Sequence, residues 1–361
     1  MICFDCPGAR MNPVIELFRG MGAWMVLTCH YSYFFPSYQY IIKFLWTGVF
    51  LFFVISGYVF GGLILYKTEN WISYTVKRFF RIYPLYIVSV LSYYFFTPGD
   101  ENKIVYFLKH IFFLHTTSSV KEAFYFNPAF WSLPVEVEFY MLIPFLILLR
   151  KKIGIKAIYI CFILSLAAKF FIALYADGST VDALSLMSVH IIAMFPEFCM
   201  GILLYQLSQL KKIDGSSCLI FSFTAGSAIL GACTYFFAVY GDAGISGHIV
   251  MRAYFSTFCS LGYALLIFPI LKIKNFNKYC VSICFNIGTS SYGLYLFHNL
   301  IPKIFEKIHF FPSGITGYTL ASLCTLLLAL FLNLYIEIPF RNYGRNFACK
   351  IHRKFQASLN P

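Results

Sequence analysis

Ten stretches of about 20 mostly apolar residues follow one another along this chain, and a run of that length is what an α-helix needs to cross a bilayer. They fall at 14–35, 41–66, 81–97, 131–150, 155–175, 188–207, 218–240, 251–271, 288–308 and 315–338. The runs are continuous rather than alternating, so they read as helices and not as strands of a membrane barrel. Charged residues are 12% of the 361, about half the share of a soluble domain, while 60% are apolar. So few charges cannot cover a soluble surface. The expectation is all-α: a polytopic membrane helix bundle of about ten transmembrane helices. One domain would span 1–361, with an N-terminal segment 1–13, a long outer loop 98–130 and a tail 339–361.

The net charge is +13. In a soluble chain that would suggest nucleic acid; here it reads as loop charge under the positive-inside rule. The partner implied is a lipid bilayer, with no nucleic acid. Placing the N-terminus inside leaves nineteen Lys and Arg in inner segments and seven in outer ones, so both termini are expected in the cytoplasm. Residues 1–13 lack the apolar core of a cleavable signal, and Met11 is a second possible start. Within 98–130, Ile104 to Leu114 is too short to span and suits an amphipathic surface helix or part of a cap. The twelve cysteines are mostly scattered through apolar segments. Cys3-x2-Cys6 is the one tight pair, and no second pair or His follows it, so no metal site and no disulfide framework are expected.

Ionisable groups inside spans are costly and are functional candidates by default. In the first span Arg19 and His30 are eleven residues apart. Eleven steps of 100° end 20° past three turns, so the two share a helix face about 16 Å apart along the axis. Arg19 would lie near the inner surface and His30 in the outer third. Each also has a structural reading, Arg19 by snorkelling to headgroups. The fourth span opens Trp131-Ser132-Leu-Pro134-Val-Glu136-Val-Glu138-Phe-Tyr140. Ser132 is a candidate cap there. A carboxylate near a helix N-terminus is favoured by the dipole alone. By count from the outer surface, Glu136 and His30 belong at one depth. Glu138 lies 200° round the helix from Glu136, so a straight helix cannot point both into one cavity; Glu136 is the preferred candidate.

Lys77-Arg78-Phe-Phe-Arg81 forms a basic entry to the third span, read either as a topology signal or as a site for an anionic cytoplasmic ligand. In the ninth span Ser291, Tyr295 and His298 recur at i, i+4 and i+7, a polar stripe that could also glue helices together. Glu337 ends the tenth span, four residues before Arg341.

Together these motifs resemble the acyltransferase family 3 integral membrane proteins, which include bacterial surface-polysaccharide O-acetyltransferases. The carriers are Arg19-x10-His30, Phe52-Phe-Val-Ile-Ser56-Gly57-Tyr, Arg78-x2-Arg81-x2-Pro84, Trp131-Ser132-Leu-x2-Glu136-x2-Phe139-Tyr140, Ser291-Tyr292-x2-Tyr295-Leu-x-His298 and Glu337-x-Pro339. All six occur in order over nearly the whole chain. Departures are Lys77-Arg78 where two arginines are common, Pro134 inside the Trp-Ser-Leu motif, and no hydrolase-like outer domain after the tenth span.

The resemblance implies an acyl-CoA donor, usually acetyl-CoA, on the cytoplasmic side. It implies a carbohydrate or lipid-linked glycan acceptor outside, and residence in a bacterial inner membrane. By the resemblance, Arg78, Arg81, Ser291, Tyr292, Tyr295 and His298 would bind the donor. His30 would be the general base, with Arg19 and Glu136 beside it and Glu136 orienting its ring. Cys29, about 100° round the helix from His30, is a weaker covalent alternative. Acylation of a small molecule, lipid or peptide stays open, as does a proton-coupled transporter or flippase using the same charges. Oligomeric state is not legible.

Overall fold

The computed structural model describes residues 12–66, 70–99, 101–176, 186–210, 213, 215–273 and 276–359. Among them the fold is all-α, with no strand and thirteen helices of eight residues or more. In order they are α1 (Pro13–His30), α2 (Gly48–Tyr66), α3 (Trp71–Phe96), α4 (Lys103–Ile111), α5 (Ser132–Ile153), α6 (Lys156–Tyr175), α7 (Ile191–Ser208), α8 (Ser216–Gly247), α9 (Ile249–Leu271), α10 (Lys278–Phe297), α11 (Leu300–Lys307), α12 (Gly314–Leu332) and α13 (Ile338–Leu359). By length and composition, α2, α3, α5, α6, α7, α8, α9 and α12 can cross a membrane. The chain is thus an integral, multi-pass membrane protein. The first and ninth expected spans correspond to α1 and α10. These are less apolar because α1 carries Glu16 and Arg19 and α10 a Ser/Thr/Asn-rich stretch. They pack on each other: a Cβ on Gly288 would collide with Glu16, and one on Gly20 with Ile287.

Local chemistry sets the boundaries, and it moves several of them. Asn12 caps α1 by accepting Val14 N–H at 2.9 Å. Asn70 starts α3 by accepting Ser73 N–H at 3.1 Å. The third span therefore begins ten residues before the expected 81, and Lys77, Arg78 and Arg81 lie inside a helix rather than in an entry loop. Asn277 caps α10 at Tyr279 N–H, so the ninth span begins at 278 and ends at Phe297, not 308. Trp131, not Ser132, occupies the N-cap of α5. α12 runs through a single π turn, Asn333–Glu337, straight into α13. The tail 339–361 is thus helical to Leu359. Such π turns rotate the following side chains, and this one leaves Glu337 buried. The Cys3–Cys6 pair lies outside the described residues.

Two contacts hold the bundle tightly. α2 and α7 cross at Gly57 and Gly201, where a Cβ on either would strike the other helix's carbonyl oxygen. Small residues permit this approach where no hydrophobic force drives helices together. On the far side, Lys169 of α6 bonds Glu197 Oε1 of α7 at 2.5 Å and Ser256 and Thr257 of α9 at 2.6 and 3.1 Å. α13 lies along α3, Gly344 against Phe80.

Residues 98–99 and 101–130 form a cap over one end, the end where α1 finishes. α4 is the expected amphipathic surface helix. Tyr86 of α3 donates to His110 O at 2.8 Å. His115 Nε2 meets Phe130 O at 3.1 Å, and the rings of His110 and His115 stack at 4.0 Å.

Candidate active site

A cavity of about 760 Å³, counting its open side, lies among α1, α2, α3, α5 and α10. Its walls include Arg19, Phe52, Ser56, Phe60, Arg78, Arg81, Ser132, Glu136, Tyr140, Ser291, Tyr292 and Tyr295. Phe52 and Phe60 are eight residues apart on one helix, which makes the cavity about 12 Å long. Arginines line the end away from the cap. Ser132 and Tyr295 close the end toward it, their hydroxyls 2.6 Å apart.

Three arginines face one carboxylate on these walls. Arg19 bonds Glu16 at 2.6 Å, and Arg81 bonds Glu337, which Arg341 also approaches at 3.6 Å. The carboxylate side chains are nearly sealed, Glu16 at 3% and Glu337 at 1% exposed, while Arg19 and Arg81 each keep 21%. The acids therefore hold the guanidinium groups from behind and leave part of each open to the cavity. Arg78 stacks over Phe60 at 5.2 Å and Arg81 over Tyr292 at 5.6 Å. Such a surface suits an anion with planar or phosphate groups.

Glu136 faces the same cavity and accepts hydrogen bonds from Tyr140 OH and, at 3.4 Å, Ser56 Oγ. Glu138 points elsewhere, to His190 Nδ1 at 2.5 Å and Ile191 N–H at 2.7 Å. The expected partnership of Glu136 with His30 is not formed. In the turn Pro128–Trp131 before α5, Ala129 and Phe130 are almost wholly covered, while Pro128 is exposed and Trp131 half-buried. α5 therefore starts deeper than a count from the surface suggests, and Glu136 falls at the level of Ser56.

His30 meets His298 instead. The rings are 4.8 Å apart, with His298 Nε2 3.2 Å from His30 Nδ1. His30 Nδ1 also lies 2.9 Å from Val26 O, and His298 Nδ1 2.8 Å from Tyr295 O. Neither histidine lines the cavity; Tyr295 stands between, its ring 6.2 Å from that of His298. So seven of the nine nominated residues meet at one cavity: Arg19, Glu136, Arg78, Arg81, Ser291, Tyr292 and Tyr295. The other two pair just beyond its closed end.

The frame around the histidines was not read from the sequence. Tyr31 donates to His298 O at 2.6 Å. Asn127 donates to Leu296 O at 3.1 Å, and Tyr93 donates to the same oxygen at 3.2 Å. These side chains take the carbonyls at the end of α10 and stop the helix there. Tyr31 beside His30 was the available signal; Asn127 gave none.

A family model described as an acyltransferase domain matches residues 12–334. An uncharacterised protein of Haemophilus influenzae is 30% identical over 143 residues, which cover 34% of this chain and 57% of that protein. The chain therefore matches a little over half of that relative's length. No solved structure matches the chain.

Proposed function

The chain belongs to acyltransferase family 3; from that premise we propose that it is a membrane acyltransferase that moves an acetyl group from acetyl-CoA to a sugar hydroxyl of a bacterial surface polysaccharide. The observation that carries this reading is the arginine-lined cavity whose closed end abuts a pair of histidines. The arginine end would take the donor's phosphates. The pantetheine arm would lie along the apolar wall of Phe52, Phe53 and Val59. The thioester would lie at the closed end beside Ser132 and Tyr295, whose hydroxyls bond each other at 2.6 Å and donate to Ala129 O.

The acceptor would approach His30 from the cap side. Its oxygen attacks the thioester carbon while His30 takes the hydroxyl proton. The carbon–sulfur bond then breaks, and the CoA thiolate recovers that proton from His30. No proton is gained or lost overall, and no acyl-enzyme is needed. With the arginine end in the cytoplasm and the cap outside, both termini are cytoplasmic and the protein resides in the inner membrane.

The test is mass analysis of surface glycans from strains with and without the protein, beside titration of the purified protein with acetyl-CoA. One acetyl fewer per repeat in the deletion strain, with saturable acetyl-CoA binding, is the expected result. Binding with an unchanged glycan would redirect the acceptor to a lipid, peptide or small molecule. No binding at all would overturn the donor assignment and favour transport.

A further inference from the structure

The contact between His30 and His298 has a definite proton arrangement. A carbonyl oxygen only accepts, so Val26 O requires the proton on His30 Nδ1, and Tyr295 O requires it on His298 Nδ1. A neutral imidazole carries one ring proton. His298 Nε2 is then a bare lone pair, and it shares the Nδ1–H of His30, at 3.2 Å, with Val26 O at 2.9 Å. His30 Nε2 is left bare as well.

We propose that His298 is a positioning residue for His30, accepting its Nδ1–H and presenting its Nε2 as the base. The proposal rests on the reading of His30 as general base. It assigns to a neutral imidazole the place that a carboxylate holds in a hydrolase triad. Within the described residues, the partners of the two rings are backbone carbonyls and each other, not a carboxylate. The arrangement suits a membrane interior, where a second buried charge would cost several kcal/mol of desolvation. The pair carries no charge until His30 takes the acceptor's proton. At that moment the Nδ1–H bond to His298 becomes charge-assisted and strengthens. The Nδ1 proton stays on His30 throughout, and the transferred proton leaves from Nε2 to the thiolate.

His298 is held for this task. It is fully buried, and Tyr31, the residue next to His30, donates to its carbonyl oxygen at 2.6 Å. Tyr31 is within 2.9 Å of Thr325 Oγ1 in turn. The chain ends that carry the two imidazoles are thereby tied to each other. Both ring nitrogens of His298 are engaged and the ring does not line the cavity, so it has no atom to offer the donor.

The test compares His298→Gln, His298→Asn and His298→Leu with His30→Ala, purified in nanodiscs. The probes are acetyl-CoA and surface polysaccharide isolated from a strain lacking the protein. A Gln oxygen reaches about as far as Nε2, whereas an Asn oxygen reaches only as far as Nδ1. Gln should keep kcat within a few-fold. Asn and Leu should lose roughly 10–100-fold in kcat, as outer-shell partners do, with the KM for acetyl-CoA unchanged.

Equal losses in Gln and Asn would make His298 a space-filling residue. A raised KM at normal kcat would make it a donor-site residue. Normal kcat in His298→Leu beside a dead His30→Ala would overturn this proposal alone, and normal turnover in His30→Ala would overturn the base reading itself. A second measurement needs no acceptor: ¹⁵N imidazole NMR should show both rings as Nδ1–H tautomers, with a scalar coupling across the His30–His298 bond. A protonated Nε2 on His298 would overturn the proposal whatever the kinetics.

Discussion

Replacing Arg81 by Met should produce two separable losses. Part of its guanidinium group opens to the cavity, and its Nη1 bonds Glu337. In the proposed donor site, a charge-assisted hydrogen bond to phosphate contributes about 1.5–3 kcal/mol. Its loss should raise the Kd for acetyl-CoA roughly 10–100-fold. The second loss is in stability. The Glu337 side chain is 1% exposed and would keep Arg341, at 3.6 Å, as an ion-pair partner. Removing one member of a buried pair costs about 3–5 kcal/mol, and the surviving arginine places this case toward the lower end. The double variant Arg81→Met/Glu337→Gln removes the stranded charge. It should recover much of the thermal stability while binding stays weak. Calorimetric titration with acetyl-CoA reads the first effect. Thermal unfolding followed with a thiol-reactive dye reads the second, since Cys199, Cys233, Cys259 and Cys284 are buried. Binding restored in the double variant would show that Arg81 serves only the ion pair. A wild-type melting curve for the single variant would refute the buried-pair account.

Other perturbations have equally definite expected outcomes. Lys169→Met strands Glu197, which is fully buried; it should lower the melting temperature but leave acetyl-CoA affinity unchanged, because the cluster lies off the cavity. Altered affinity would show that the two sites are coupled. Gly201→Val should abolish the folded protein in detergent extracts, because any Cβ there meets Val54 O; a monodisperse, binding-competent variant would contradict the close helix crossing. In the cap, burial pushes His110 well below its ordinary value, with His115 beside it adding to the effect, and burial pushes His115 down to about 4. Unfolded imidazoles bind protons near pH 6.5, before these rings do, so cap stability is full above that pH and falls toward pH 4, by about 3 kcal/mol from His115 alone. Hydrogen exchange over 98–130, corrected for intrinsic rates, should show protection declining across that window; constant protection would refute it.

The candidate site was partly legible before the fold was known. Arg78, Arg81, Ser291, Tyr292 and Tyr295 were identified as short motifs, and they share a cavity because each motif sits on one helix face. Arg19 and His30 were placed on a common face by helical arithmetic alone, and α1 runs unbroken between them. The position of Glu136 failed for a particular reason. Depth was counted from the end of an apolar run, but Ala129 and Phe130 in the turn before α5 are apolar and already buried in protein. An apolar residue facing lipid and one facing protein look the same in sequence. The boundaries of α3 and α13 failed similarly, since their charged residues resembled loops: in α3, Arg78 and Arg81 face Phe60 and Glu337 on other elements, and in α13, Arg341 and Arg345 face Glu337 and Asn342 one turn back.

What the sequence determined by itself is what local periodicity and solvent preference can encode: helices throughout, their order, a membrane as their surroundings, and which ionisable groups lie too deep to be incidental. Pairing was decided only by the tertiary structure. Arg81 finds Glu337 across 256 residues, and His30 finds His298 across 268. Lipid tails are as apolar as leucine, so hydrophobicity does not choose which helix faces meet. That choice falls to close-packed glycines such as Gly57 and Gly201, and to buried polar groups that must find partners. Both act only once the helices are side by side, so a histidine could be recognised as out of place in the sequence, while the residue it faces could not.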